Sequence, residues 1–96
     1  MIYNIILSEE ARHDEIESYQ YYETQRPGLG EEFLLILEDC YAALRKHPHL
    51  FSFIDAHQEL RDVKLKRFPF VVIYEISGAD VYVYSVHHTS RLPKKR

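Results

Sequence analysis

The chain has 96 residues, enough for one domain with a modest core, and at 46% hydrophobic and 28% charged its composition is that of a globular protein. The single cysteine, Cys40, excludes an internal disulfide framework and, set in a helical pattern, reads as a buried thiol or small hydrophobe suited to a reducing compartment. No apolar run follows a basic start, and none reaches the length of a bilayer span, so the sequence predicts a cytoplasmic protein that makes no membrane contact.

The net charge of −3 hides a division. Residues 1–60 carry 12 acidic and 4 basic side chains, a balance of −8, whereas residues 61–96 carry 3 and 8, a balance of +5. A split of that size predicts one basic face, unless the helical half simply has a solvated acidic surface.

In chain order, "MIYNIILS" is rich in β-branched and aromatic residues, which predicts a short buried strand over residues 2–7. Ser8 is placed as an N-cap, with Glu9 and Glu10 at the positive end of a helix over 9–25. Ala11, Ile16, Tyr19 and Tyr22 form its loose apolar stripe. "RPGLG" (26–30) breaks this helix; it lacks the spacing and the preceding strand of a phosphate-binding loop and reads as a turn.

A second helix over 30–46 is the clearest element. Phe33, Leu37, Cys40, Tyr41 and Leu44 recur at helical spacing, Leu34 and Ile36 widen the stripe, and Arg45, Lys46 and His47 sit where cations favour a helix end. Pro48 stops it. Residues 49–57 read as an irregular connection whose Leu50, Phe51 and Phe53 plug the edge of the core.

Strand patterns follow at 59–65, 70–76 and 81–86, separated by "KRFP" and by a tight turn at "ISGAD". "VYVYSV" alternates Val81, Val83 and Ser85 with Tyr82, Tyr84 and Val86. The expected fold is therefore α+β and spans 1–96 as a single domain. It has an N-terminal strand, a helical hairpin and a three-stranded antiparallel meander, with the helices on one face of an antiparallel sheet.

Chemistry-bearing residues concentrate late in the chain. Adjacent residues His87 and His88 should point to opposite faces, which is the wrong spacing for a metal pair, so no metal or cofactor is expected. The tyrosines of "SYQYYE" suit helix packing better than base stacking. Arg61, Lys64, Lys66 and Arg67, close in the meander to His88, Arg91, Lys94, Lys95 and Arg96, predict a basic patch on the sheet edge.

The order and spacing of "DEIESYQYYETQRPGLGEEF", "HP", "LKRFPFVVIYEI" and "RLP" resemble the RelE/ParE superfamily of toxins, and most closely its ParE-like branch of plasmid stabilisation proteins. The resemblance covers nearly the whole chain. It implies the toxin of a type II toxin–antitoxin module, silenced by a cognate antitoxin whose C-terminal segment wraps it as an extended strand and a helix, and touching DNA only through that antitoxin. RelE-like members cut mRNA on the ribosome with a cluster of Lys and Arg and a C-terminal Tyr or similar group. ParE-like members poison DNA gyrase without chemistry of their own.

By that resemblance, two basic positions of the nucleases are occupied here by Asp62 and Val71, and no terminal Tyr follows Arg91, while Lys64 matches. This favours a gyrase-binding toxin whose contacts with target or antitoxin are Arg61, Lys64, Lys66, Arg67, His88 and Arg91. Two alternatives stay open: a nuclease using Lys64, Arg67, His88 and Arg91, with His87 or His88 as its acid–base group, and a degenerate member that keeps antitoxin binding alone. The resemblance leaves the assembly state open, with a homodimer among the options.

Overall fold

A computed structural model describes residues 2–90, apart from residues 52, 56 and 58. The expectations for Arg91, Lys94, Lys95 and Arg96 therefore lie outside the described residues. Strand β1 (Asn4–Leu7) leads into α1 (Glu9–Gln25) and α2 (Leu29–Lys46), then a 3-10 turn (Pro48–Leu50), β2 (Phe53–Asp55), β3 (Leu60–Lys64), β4 (Phe70–Ser77) and β5 (Asp80–His88). The sheet order is β1-β5-β4-β3-β2, with the helical hairpin covering one face. Among the described residues no helix is long and apolar enough to cross a membrane.

Local chemistry sets the helix ends. Ser8 Oγ accepts the Ala11 N–H at 2.9 Å, the N-cap that the sequence suggests. The break between the helices needs Gly28, at φ +89°. The Glu23 side chain then reaches past the turn and accepts the N–H groups of Gly28 (3.1 Å), Gly30 (2.9 Å) and Glu31 (3.3 Å). One carboxylate thus satisfies the orphan donors that open α2, where the helix dipole favours negative charge. Gly30 lets the helices touch: a Cβ there would sit 2.6 Å from the Tyr19 carbonyl oxygen.

The core lies between the hairpin and the inner face of the sheet. Phe33, Leu37, Tyr41 and Leu44 of α2 bury against Val72, Tyr74, Val81, Val83 and Val86. Tyr22, Phe33, Phe68 and Phe70 form an aromatic cluster with ring centroids 4.9 to 6.1 Å apart. The helix stripes are narrower than the sequence suggests, since Ile16 is 57% exposed and Leu34 is also exposed. In α1 only Ala11 is fully buried, so that helix is held by its ends, by Tyr22 and by the Tyr41 hydroxyl donating to Glu15.

Three expectations about the sheet need correction. First, the sheet is mixed: β1 pairs parallel to β5, with Ile5 opposite Val81 and Leu7 opposite Val83. Periodicity fixes which face a strand buries but not its direction, and no tight turn joins these two strands. Second, residues 53–55 form an edge strand on β3. Of the three predicted plugs only Phe51 packs on the core, while Leu50 and Phe53 are exposed. The Tyr74 hydroxyl, donating to the Pro48 carbonyl at 2.6 Å, anchors this connection in that orientation.

Third, β5 does not alternate strictly. Ile73 pairs with Ser85 and Tyr74 with Val83, which leaves Tyr84 as the extra residue of a β-bulge. Val86 is therefore core, rather than sharing a face with the exposed Tyr82 and Tyr84.

Replacing Leu37, which is 2% exposed, by Ala should lower stability in urea denaturation by roughly 2–5 kcal/mol. A loss under about 1 kcal/mol would count against its place in the core. Gly30→Ala should cost about 1–3 kcal/mol in the same measurement, because the backbone of α1 must move to admit the methyl group.

Candidate interaction surface

The bulge decides what the end of β5 presents. Beyond it, His87 lies opposite Val71, which lies opposite Lys64; Ser85, Ile73 and Asp62 form the adjacent row. Because Val63, Val72 and Val86 face the helices, these six side chains share the opposite, outer face. Val71 and Ile73 are 7% and 8% exposed, buried outside the helix-side core. His88 turns to the helix side, where its ring meets Phe70 edge-on at 5.3 Å. The two histidines thus point apart, as their adjacency suggests, but both are half-buried.

Helix α1 holds this end of β5. Ser8 donates its N–H to the Val83 carbonyl (3.0 Å) and its hydroxyl to the Tyr84 carbonyl (2.9 Å). The Asp14 carboxylate accepts the Val86 N–H at 3.0 Å. Burial raises the Asp14 pKa above the ordinary carboxylate value, and the amide bond opposes this rise only in part. Burial also lowers the His87 pKa, against the opposing pull of Asp14, Glu10 and Asp62, and its Nδ1 lies 3.2 Å from Ser85 Oγ. His88 Nδ1 accepts the Ser90 N–H at 3.1 Å, which places any proton of the neutral ring on Nε2.

The cations singled out in the sequence go to different places. Arg61 faces inward from β3 and donates to the carbonyls of Phe51 (2.6 Å) and His49 (3.4 Å), with its guanidinium 4.0 Å from the Phe53 ring centre. It fastens the β2 connection. Arg67, at φ +70° in the β3–β4 turn, donates to Glu32 at 2.7 Å and lies 5.2 Å from the Phe68 ring centre. That hydrogen bond is the main cause of a lowered Glu32 pKa. Lys64 is exposed on the outer face, Lys66 is exposed in the turn, and Arg91 lies outside the described residues. Lys64 and His88 therefore lie on opposite sides of the sheet.

Sequence reasoning weighed His87 and His88 together, carried only His88 into the candidate site, and passed over Asp14 and Glu23. Only the bulge puts His87 on the outer face with Lys64, with Val71 between them, and no local pattern announces a carboxylate that caps a distant strand. Cys40 is half-buried, and burial pushes its thiol to about 12, which leaves it inert. His13, Asp14 and Glu17 offer ligand atoms within 4.8 Å of one another. Two of the three are exposed and Asp14 is already bonded to Val86, so the cluster reads as an ordinary helix surface.

Neutral His87 is favoured by the fold, so its contribution to stability is present above the ordinary histidine value of 6.5 and is lost as pH falls through the lower folded value. Asp14 and Glu15 have raised values and act in the opposite sense, favouring the fold as pH falls, over a more acidic range. The urea midpoint should therefore drop between about pH 7 and about pH 5.5. His87→Gln should flatten that drop; an unchanged slope would place the titration elsewhere.

Comparison with known proteins places this geometry. A search of curated proteins returned no match. Among solved structures the chain is similar to one described as "Chromosomal ParDE TA system from P. aeruginosa", with a TM-score of 0.78 at 13% identity, over 91% of this chain and 96% of that one. At that identity the likeness speaks for the fold. The family model described as "ParE toxin of type II toxin-antitoxin system, parDE" matches residues 5–93, nearly the whole length. The chain belongs to the ParE toxin family of type II toxin–antitoxin systems.

Proposed function

We propose that this protein is a cytoplasmic toxin that acts by binding, with DNA gyrase as its target, and that a cognate antitoxin neutralises it. The observation that carries the reading is the composition of the outer face. Cleavage of RNA by its own 2′-hydroxyl needs several preorganised cations around one phosphate. The two rows there hold one full cation, Lys64, against the carboxylate of Asp62, the buried apolar pair Val71 and Ile73, and a His87 held toward neutrality. Such a surface can engage a protein; as a phosphoryl-transfer site it is poor.

The antitoxin has a landing place on the hairpin. A groove of about 470 Å³ is lined by Tyr19, Leu34 and Leu35, with Glu31 and Glu38 beside them. Leu35 is 67% exposed, and an amphipathic segment laid there would cover it. Binding DNA through the antitoxin, and a plasmid-stabilising role, follow from the same reading.

The ribosome-dependent nuclease is the second reading, and one observation favours it. A half-buried histidine held toward neutrality, His87, shares the outer face with Lys64 across the intervening Val71, a base and a cation on one surface. Two assays on the purified chain separate the readings. Gyrase supercoiling should be inhibited, and mRNA on translating ribosomes should stay intact. Ribosome-dependent cleavage that disappears in His87→Gln or Lys64→Ala would make the nuclease reading correct.

In cells, expression of the chain alone should slow bacterial growth, and co-expression of the antitoxin should restore it. Lys64→Glu should relieve the growth defect without loss of fold. Normal growth at high soluble expression would leave a member that binds antitoxin but no target.

A further inference from the structure

A second groove, of about 550 Å³, opens between α1 and the end of β5. Asp14 and Glu17 lie along one wall, and the rings of Tyr21, Tyr22, Phe70 and His88 supply the rest. None of the described lining residues is Lys or Arg. His87, which also lines it, is biased toward its neutral form. Among the described residues, the cavity is thus acidic and aromatic.

That chemistry selects its occupant. Aromatic faces attract cations, guanidinium above all, and the attraction grows as water is excluded. A carboxylate pair at the rim supplies the charge-assisted partner. Asp14 has one oxygen on the Val86 N–H, whereas Glu17 is exposed at the opening. At about 550 Å³ the cavity has room for a cationic side chain and part of the peptide that would carry it.

We propose that this groove is the socket for an arginine or lysine side chain of the antitoxin, an inference that rests on the antitoxin reading above. Helix α1 is the wall common to both grooves: Tyr19 lines the apolar one, and Ser18, Tyr21 and Tyr22 line the acidic one. A single segment crossing α1 fills both, with apolar side chains over Leu34 and Leu35 and a cation between Glu17 and the tyrosines. The surface that the toxin offers its antitoxin is therefore anionic here.

The test uses the full chain and a capped pentapeptide, Gly-Leu-Arg-Leu-Gly, beside its twin with neutral citrulline for arginine. In 1H–15N NMR titrations the arginine peptide should move the amides of Val86, His87, His88 and Ser90. Citrulline, or Glu17→Gln in the protein, should weaken binding about tenfold. Equal binding of the two peptides would overturn the proposal, as would shifts that map elsewhere. Binding that is seen only after residues 91–96 are deleted would assign the groove to the chain's own tail instead.

A second arm titrates the antitoxin itself. Glu17→Gln should weaken the complex about tenfold, and replacing one antitoxin Arg or Lys by Ala should give a non-additive double mutant. An antitoxin complex indifferent to Glu17→Gln would refute the assignment to the antitoxin. Failure of the antitoxin to bind the unmodified chain would defeat the proposed function, while the peptide titration still decides the socket.

Discussion

The hydrogen bond from the Val86 N–H to the Asp14 carboxylate is the contact on which the rest of the surface depends. β1 pairs with Asp80–Val83, so among the described residues the far half of β5 has no strand on that side. A bulge at Tyr84 twists this half toward α1, and Ser8 and Asp14 take the place of a ladder partner. A buried strand amide would otherwise lack an acceptor, at a cost comparable to a lost hydrogen bond. The same bond fixes a weakly apolar helix to the sheet and opens the groove between them.

The consequences for charge follow from geometry. The sequence divides into an acidic and a basic part, yet the fold does not turn this into a basic face among the described residues. Arg61 is turned inward onto the carbonyls of the β2 connection, and Arg67 crosses to Glu32 on α2. These two cations brace the two ends of β3 against other elements. Lys64 is left on the outer face beside apolar and acidic neighbours. Exposed pairs such as Arg67–Glu32 add little stability, since water and salt screen them, but they do fix where the charge lies.

These placements carry the proposed function. The fold alone does not decide between catalysis and binding. Val71 and Ile73, buried at the centre of the outer face, offer no charge to a phosphate, and the proposed binding role rests on that.

Local sequence determined the elements. The Ser8 cap, the break at "RPGLG", the Phe33-to-Leu44 stripe and the meander were legible because caps, turns and periodicity act within a few residues. The order of these elements, with quoted segments along the chain, was enough to indicate the family that the comparison establishes. Tertiary structure decided the rest. The parallel pairing of β1, the edge strand β2, the bulge at Tyr84, the role of Glu23 at the start of α2 and the bond from Asp14 to Val86 all join residues that no local pattern links. One bulged residue reverses which face every later side chain of β5 occupies, and so it was the fold that set His87 on the outer face with Lys64 and turned His88 into the groove.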